Sequence, residues 1–202
     1  MALDKLNKES KVNIQNFVNE FWDQHITPSL QEYIRIPALS LDFDPNWQAN
    51  GYLEQAKQLA LNWLEKQVPS HWKIIEKNIP GKSPLLIVDI PGELDGRVLM
   101  YGHLDKQPEM EGWREGYGPW TPVIDDEKLY GRGGADDGYA LFAAIASVKA
   151  LQAQKIPHAH IVILIEFSEE SGSPDLPPYL EQCEDIIGTP QLVIALDSGA
   201  GD

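Results

Sequence analysis

Seven side chains in this 202-residue chain have types and spacings that could do chemistry together: His103, Asp105, Asp136, Asp137, Glu169, Glu170 and Asp197. His103 and Asp105 follow the apolar run RVLMYG, Glu169 and Glu170 follow HIVILIEF after one serine, and Asp197 follows QLVIAL. In an open α/β sheet, ligands bind beyond the carboxyl ends of parallel strands. If these runs are parallel strands, one imidazole and four carboxylates meet at one rim. The loop GRGGADDGYA adds Asp136 and Asp137 just before a helix. Each group alone has a plainer reading. A histidine after a strand serves a loop or a cap, adjacent acids before a helix cap it for about 1 kcal/mol, and a Glu-Glu pair sits in a solvated turn. Crowded carboxylates, however, raise one another's pKa values and persist where a cation neutralises them. One imidazole with several carboxylates suits Zn²⁺, Mn²⁺ or Co²⁺ rather than a soft thiolate-bound ion.

The elements that must position these residues follow from hydrophobic periodicity. Residues 9–35 place Val12, Ile14, Phe17, Val18, Phe21 and Trp22 at helical spacing, which predicts a long helix kinked near Pro28. A loop is expected over 37–50 and a second helix over 51–68. Strands are expected at 72–79, 84–90, 97–102, 160–167 and 191–196, and a glycine- and tryptophan-rich loop at 106–122. An alanine-rich helix is predicted over 137–154, and a helical segment lies around 176–187. Continuous apolar strands separated by helices describe a sheet covered on both faces, hence an α/β fold with a mixed, largely parallel sheet flanked by helices. No repeat, low-complexity stretch or linker divides the chain, so one domain is expected.

YGHLDKQP, LYGRGGADDGYA, EFSEESGS and ALDSG, in that order, resemble the M20 family of zinc-dependent peptidases, and EGWREGYGPWTPVIDDEKLYGRG resembles its carnosinase-like dipeptidase branch. The resemblance spans about residues 10–202. It implies a binuclear zinc site, with Mn²⁺ or Co²⁺ as substitutes, in which His103, Asp136, Glu170 and Asp197 are metal ligands. Asp136 would bridge the two metals, with Asp197 on the His103 side and Glu170 on the other. Glu169 would be the general acid/base and Asp105 the orienter of His103, and the Asp136–Asp137 peptide bond would be cis. Period two along a strand puts His103 and Asp105 on one side, so the carboxylate can hold the imidazole in its metal-binding tautomer. Glu169 and Glu170 can both serve one site only if the chain turns there, as Ser171 and Gly172 allow. The family usually carries a lysine after the bridging aspartate, as in DDKG, where this chain has Gly138 and Tyr139.

The same resemblance implies that residues 1–202 are the N-terminal portion of a peptidase catalytic domain. A lid or dimerisation domain, the closing strands and a fifth ligand, a histidine, would lie on a longer chain. On that expectation the chain alone hydrolyses peptides poorly, and its cut sheet edge favours association. The substrate expected is a small peptide, with an N-acyl amino acid as the alternative; a non-catalytic metal-binding or interaction domain is the reading from another class. A homodimer is expected of the full-length protein. Composition excludes other classes: a net charge of −15 repels phosphate backbones and so argues against nucleic acid, and no apolar stretch approaches a membrane span. A single cysteine, Cys183, forms no internal disulfide, so a soluble cytoplasmic protein is expected. Cys183 is read as a small buried hydrophobe, and His25, His71, His158 and His160 as surface or structural. Trp113, Tyr117 and Trp120 suit a substrate groove or loop packing equally.

Overall fold

The computed structural model describes residues 8–197. Nearly continuous apolar runs form its centre. Strands β2 (Leu85–Ile90) and β6 (Ala159–Glu166) are buried over almost their whole length, as strands covered on both faces must be. With β1 (Lys73–Lys77), β3 (Leu94–His103) and β7 (Leu192–Ala195) they make one sheet in the order β1-β2-β6-β3-β7. β2 runs antiparallel to both of its neighbours, whereas β6, β3 and β7 are mutually parallel. Four of the five strands therefore point the same way, and the fold is α/β with a mixed, largely parallel sheet.

Alternation along β6 divides the core. Ile161, Ile163 and Ile165 face a large cluster that includes Phe21, Leu30, Leu64, Phe142 and Ile145. Those residues come from α1 (Lys8–Phe21), α2 (Thr27–Ile34), α4 (Tyr52–Gln67) and α5 (Tyr139–Ala153). Val162 and Leu164 face a smaller cluster with Tyr179, Cys183 and Ile187 from the segment of α6 (Leu176–Gln182) and α7 (Glu184–Ile187). Period two on a strand makes this division automatic. Helix α5 is apolar on nearly every side because sheet and helices enclose it.

Local departures from the sequence reading have local causes. The expected long helix breaks at a π turn, Trp22–Ile26, directly before α2. Pro28 in the first turn of α2 has no N–H to donate to the preceding turn, so the continuous hydrogen-bond ladder cannot pass through. The 176–187 segment divides at Cys183 into α6 and α7, and a single turn, α3 (Trp47–Asn50), interrupts the 37–50 loop. A two-stranded hairpin of β4 (Val123–Asp125) and β5 (Lys128–Tyr130) went unpredicted. Its strands are too short and too charged for a period-two signal; Asp126 and Glu127, with φ of 49° and 61°, form the two-residue turn.

β3 passes closely under the start of α5. A Cβ on Gly102 would lie 2.5 Å from Ala140 Cβ and 2.7 Å from Asp137 Oδ2. Gly102→Ala should therefore lower stability by about 1–3 kcal/mol, the usual range for overpacking. Urea unfolding checks this, and an unchanged midpoint would show that strand and helix can separate freely.

Candidate metal centre

The carboxyl ends of β6, β3 and β7 lie side by side: His103 of β3 pairs with Glu166 of β6, and Tyr101 with Ala195 of β7. His103, the last residue of β3, has a fully buried side chain. Its Nδ1 is 3.3 Å from Asp105 Oδ1, and its Nε2 is 3.5 Å from Asp136 Oδ1 and 3.7 Å from Glu169 Oε2. Glu169 and Glu170 occupy a 3₁₀ turn, Glu169–Ser171, closed by Gly172 at a φ of 80° that favours glycine. Asp105 accepts the backbone N–H groups of both residues, Glu169 at 3.2 Å and Glu170 at 3.0 Å. One buried carboxylate thus orients the imidazole and anchors the turn. The peptide bond between Asp136 and Asp137 is cis.

His103, Asp136 and Glu170 each offer a ligand atom within 4.8 Å of one another, and so do His103, Glu169 and Asp197. Every residue that the sequence reading assigned to the metals falls in one of these two groups. They meet at His103, so Glu170 reaches the His103 group, and Glu169, read as acid/base, stands among possible ligands. Cys183 is buried elsewhere, under α6 and α7. The donors are therefore one imidazole and oxygens, a set that fits a divalent cation of the zinc, manganese or cobalt type. His103 Nε2 and Glu170 Oε1 are buried without a hydrogen-bond partner, which is how ligand atoms look when protein groups alone surround them.

Electrostatics point the same way. Burial by itself would drive the His103 imidazole down, but the Asp105 and Asp136 carboxylates together drive it up to about 11. The same contact with His103 holds Asp136 below the usual carboxylate range. Burial pushes Glu169 and Glu170 up, and it pushes Asp137 up to about 7. Without a metal, this cleft keeps protons to offset its negative charge.

Sequence reasoning missed two contributors, Lys106 and Gln107, and the role of a third residue, Asp137. Asp137 is no helix cap: its Oδ2 turns back and accepts the His103 backbone N–H at 3.2 Å. Gln107 donates to Glu170 Oε2 at 2.5 Å. Lys106 is fully buried with no carboxylate in range among the described residues. Its Nζ donates to the carbonyls of Tyr33, Ile34 and Ile36 at 2.8, 3.4 and 2.7 Å and sits 3.9 Å from the Tyr33 ring centroid. Burial drives its pKa down to about 6. Lys106 and Gln107 stand inside HLDKQP, but nothing in their spacing distinguishes them from surface polar residues.

Residues 99–197, just under half of the chain, match peptidase family M20/M25/M40. Among curated relatives, the human Beta-Ala-His dipeptidase is 36% identical over 119 residues, 55% of this chain and 23% of its own length. An uncharacterized metallohydrolase of Methanocaldococcus jannaschii is 28% identical over 166 residues, 77% of this chain and 40% of its own. The crystal structure of human carnosine dipeptidase 1 shares the fold with a TM-score of 0.73 at 23% identity, covering 92% of this chain and 41% of that one. The chain thus spans less than half the length of these relatives.

In the metal-free protein the His103 cluster should contribute less stability as pH rises. The His103 imidazolium contribution is fully present below the unfolded value of 6.5 and is lost as pH climbs through about 11. Asp137, Glu169 and Glu170, raised in the folded state, act in the same direction at lower pH. Lys106, lowered to about 6, works in the opposite direction over the same range, so the difference carries the test: the urea midpoint of the parent should fall relative to that of His103→Gln between about pH 7 and about pH 10. A parent midpoint that rises relative to that of the variant over this range would contradict the electrostatic assignment.

Proposed function

We propose that this chain carries the metal site of an amide hydrolase that cleaves dipeptides or similar small peptide-like substrates. The observation that supports it most is the meeting of His103, Asp136, Glu169, Glu170 and Asp197 in two overlapping groups at one sheet edge. His103, Asp136, Glu170 and Asp197 would hold two zinc ions. Bound divalent metal supplies Lewis acidity, polarising an amide carbonyl and lowering the pKa of water in the cleft.

The protein's own groups do the rest. Glu169, whose pKa burial raises, takes a proton from the attacking water and returns it to the leaving amine. Asp105 holds the His103 tautomer through Nδ1 and fixes the Glu169 and Glu170 backbone at the same time. Asp137 secures the end of β3 by accepting the His103 N–H. Peptide substrates are favoured by the likeness to Beta-Ala-His dipeptidase. A cytoplasmic setting and a homodimer belong to the same proposal. The lone cysteine supports the first.

Dialysis against Zn²⁺ followed by metal analysis should find two ions per chain, and Asp136→Asn should lose both. Glu169→Gln should keep the metal while peptide turnover falls by about 10²–10⁴-fold. A panel of dipeptides and N-acyl amino acids measures this. Turnover of acyl substrates alone would replace the peptidase reading with a deacylase. Retained metal with no turnover of either class would leave a binding domain.

A further inference from the structure

The motif EFSEESGS contains a buried charge that the proposed chemistry does not use. Glu166, the last residue of β6, is 2% exposed. Among the described residues no lysine, arginine or histidine side chain lies in ion-pair range of it. Three hydroxyls satisfy it instead. Tyr101 Oη and Ser173 Oγ each donate to Oε1 at 2.7 Å, and Ser168 Oγ donates to Oε2 at 3.0 Å. A buried carboxylate without such donors would cost several kcal/mol. A carboxylate can accept from three hydroxyls while needing no acceptor in return, which a neutral amide cannot do.

The origins of these hydroxyls give the network its meaning. Ser168 and Ser173 flank the turn that carries Glu169 and Glu170, and the Ser173 N–H closes onto the Ser168 carbonyl at 2.9 Å. Tyr101 lies on β3, two residues before His103. The Glu166 backbone belongs to the same joint: its carbonyl accepts the Leu104 N–H at 2.9 Å, and it pairs in register with His103. Glu166 therefore grips both ends of the turn and ties them to the strand that delivers the imidazole. Asp105 grips the same turn through its amides.

The geometry points to Glu166 as a positioning residue for the metal centre: its carboxylate, through Ser168, Ser173 and Tyr101, holds Glu169 and Glu170 at the reach that a divalent cation requires. This inference rests on the proposed metal site, and two separate readouts test the two apart. Glu166→Gln keeps the size of the side chain but replaces one acceptor oxygen with an N–H donor facing the Ser168 hydroxyl. Ser173→Ala removes one donor and leaves the carboxylate in place.

The first readout is amide hydrogen exchange in the metal-free chain. In both variants the Glu169 and Glu170 amides should exchange at least tenfold faster while the central β6 amides keep their protection. The second is titration with Co²⁺ alone, followed by its visible absorption. Both variants should bind about 10–100-fold more weakly with altered bands, the usual effect of losing a partner that orients a ligand. Unchanged exchange at Glu169 and Glu170 would overturn the inference, as would a loss of protection spread evenly over the sheet, which marks a merely structural role. If the parent chain binds no Co²⁺ while its variants still loosen the turn, the metal reading falls and the grip of Glu166 on the turn stands.

Discussion

A fully buried imidazole surrounded by carboxylates is the constraint on which the rest of this molecule depends. Asp105, Asp136 and Glu169 all approach His103 within 3.7 Å. At those distances in a partly dry cleft, like charges repel by several kcal/mol unless positive charge stands among them. Burial and mutual repulsion raise Asp137, Glu169 and Glu170, and the carboxylates raise His103. Proton retention and divalent-cation binding are two answers to the same electrostatic demand, and a cation of higher charge meets it with fewer particles.

Such a cluster persists only on a backbone that cannot relax away from it. The parallel trio β6, β3 and β7 brings its carboxyl ends to one edge, and apolar packing on both faces fixes β6 at its centre. The turn after β6 has less intrinsic rigidity, and there polar contacts take over. Asp105 binds its amides, and Glu166 binds its flanking hydroxyls. Lys106 performs a similar task behind the cleft. Its Nζ meets no carboxylate among the described residues and donates to the carbonyls of Tyr33 and Ile36 at the end of α2. Its alkyl chain fills the space against Gly133, where a Cβ would come within 2.7 Å of Lys106 Cε.

The M20 likeness and the geometry bear on different matters. The match over residues 99–197 covers every proposed metal ligand and both residues assigned to proton transfer and orientation. Similarity to human carnosine dipeptidase 1 extends to 92% of the chain at 23% identity, so it speaks for the scaffold. Distances within the cleft speak for the donor set. Gly138, standing where the family usually has lysine, is enclosed: a Cβ there would lie 2.3 Å from Tyr33 Cε1. The Tyr33 ring therefore takes the space beside the strap that carries Asp136.

Much of this protein was legible in the linear chain because hydrophobic period and residue type are local properties. Continuous apolar runs such as HIVILIEF mark strands buried on both faces, and acids and a histidine at their ends mark a rim. Helix α5 and the turn at Ser171–Gly172 are legible for the same reason. Tertiary structure alone decided which strands are neighbours, that β2 runs against the others, and that β4 and β5 form a hairpin. It also decided that Asp137 reaches back to the His103 backbone, that Lys106 lies dry against Tyr33, and that Glu166 collects hydroxyls from two strand ends. These last assignments join residues 34, 73 and 65 positions apart in the cases of His103–Asp137, Tyr33–Lys106 and Tyr101–Glu166. No sequence period relates positions so separated; only burial, which forces each polar atom to find a partner in the folded chain, selects them.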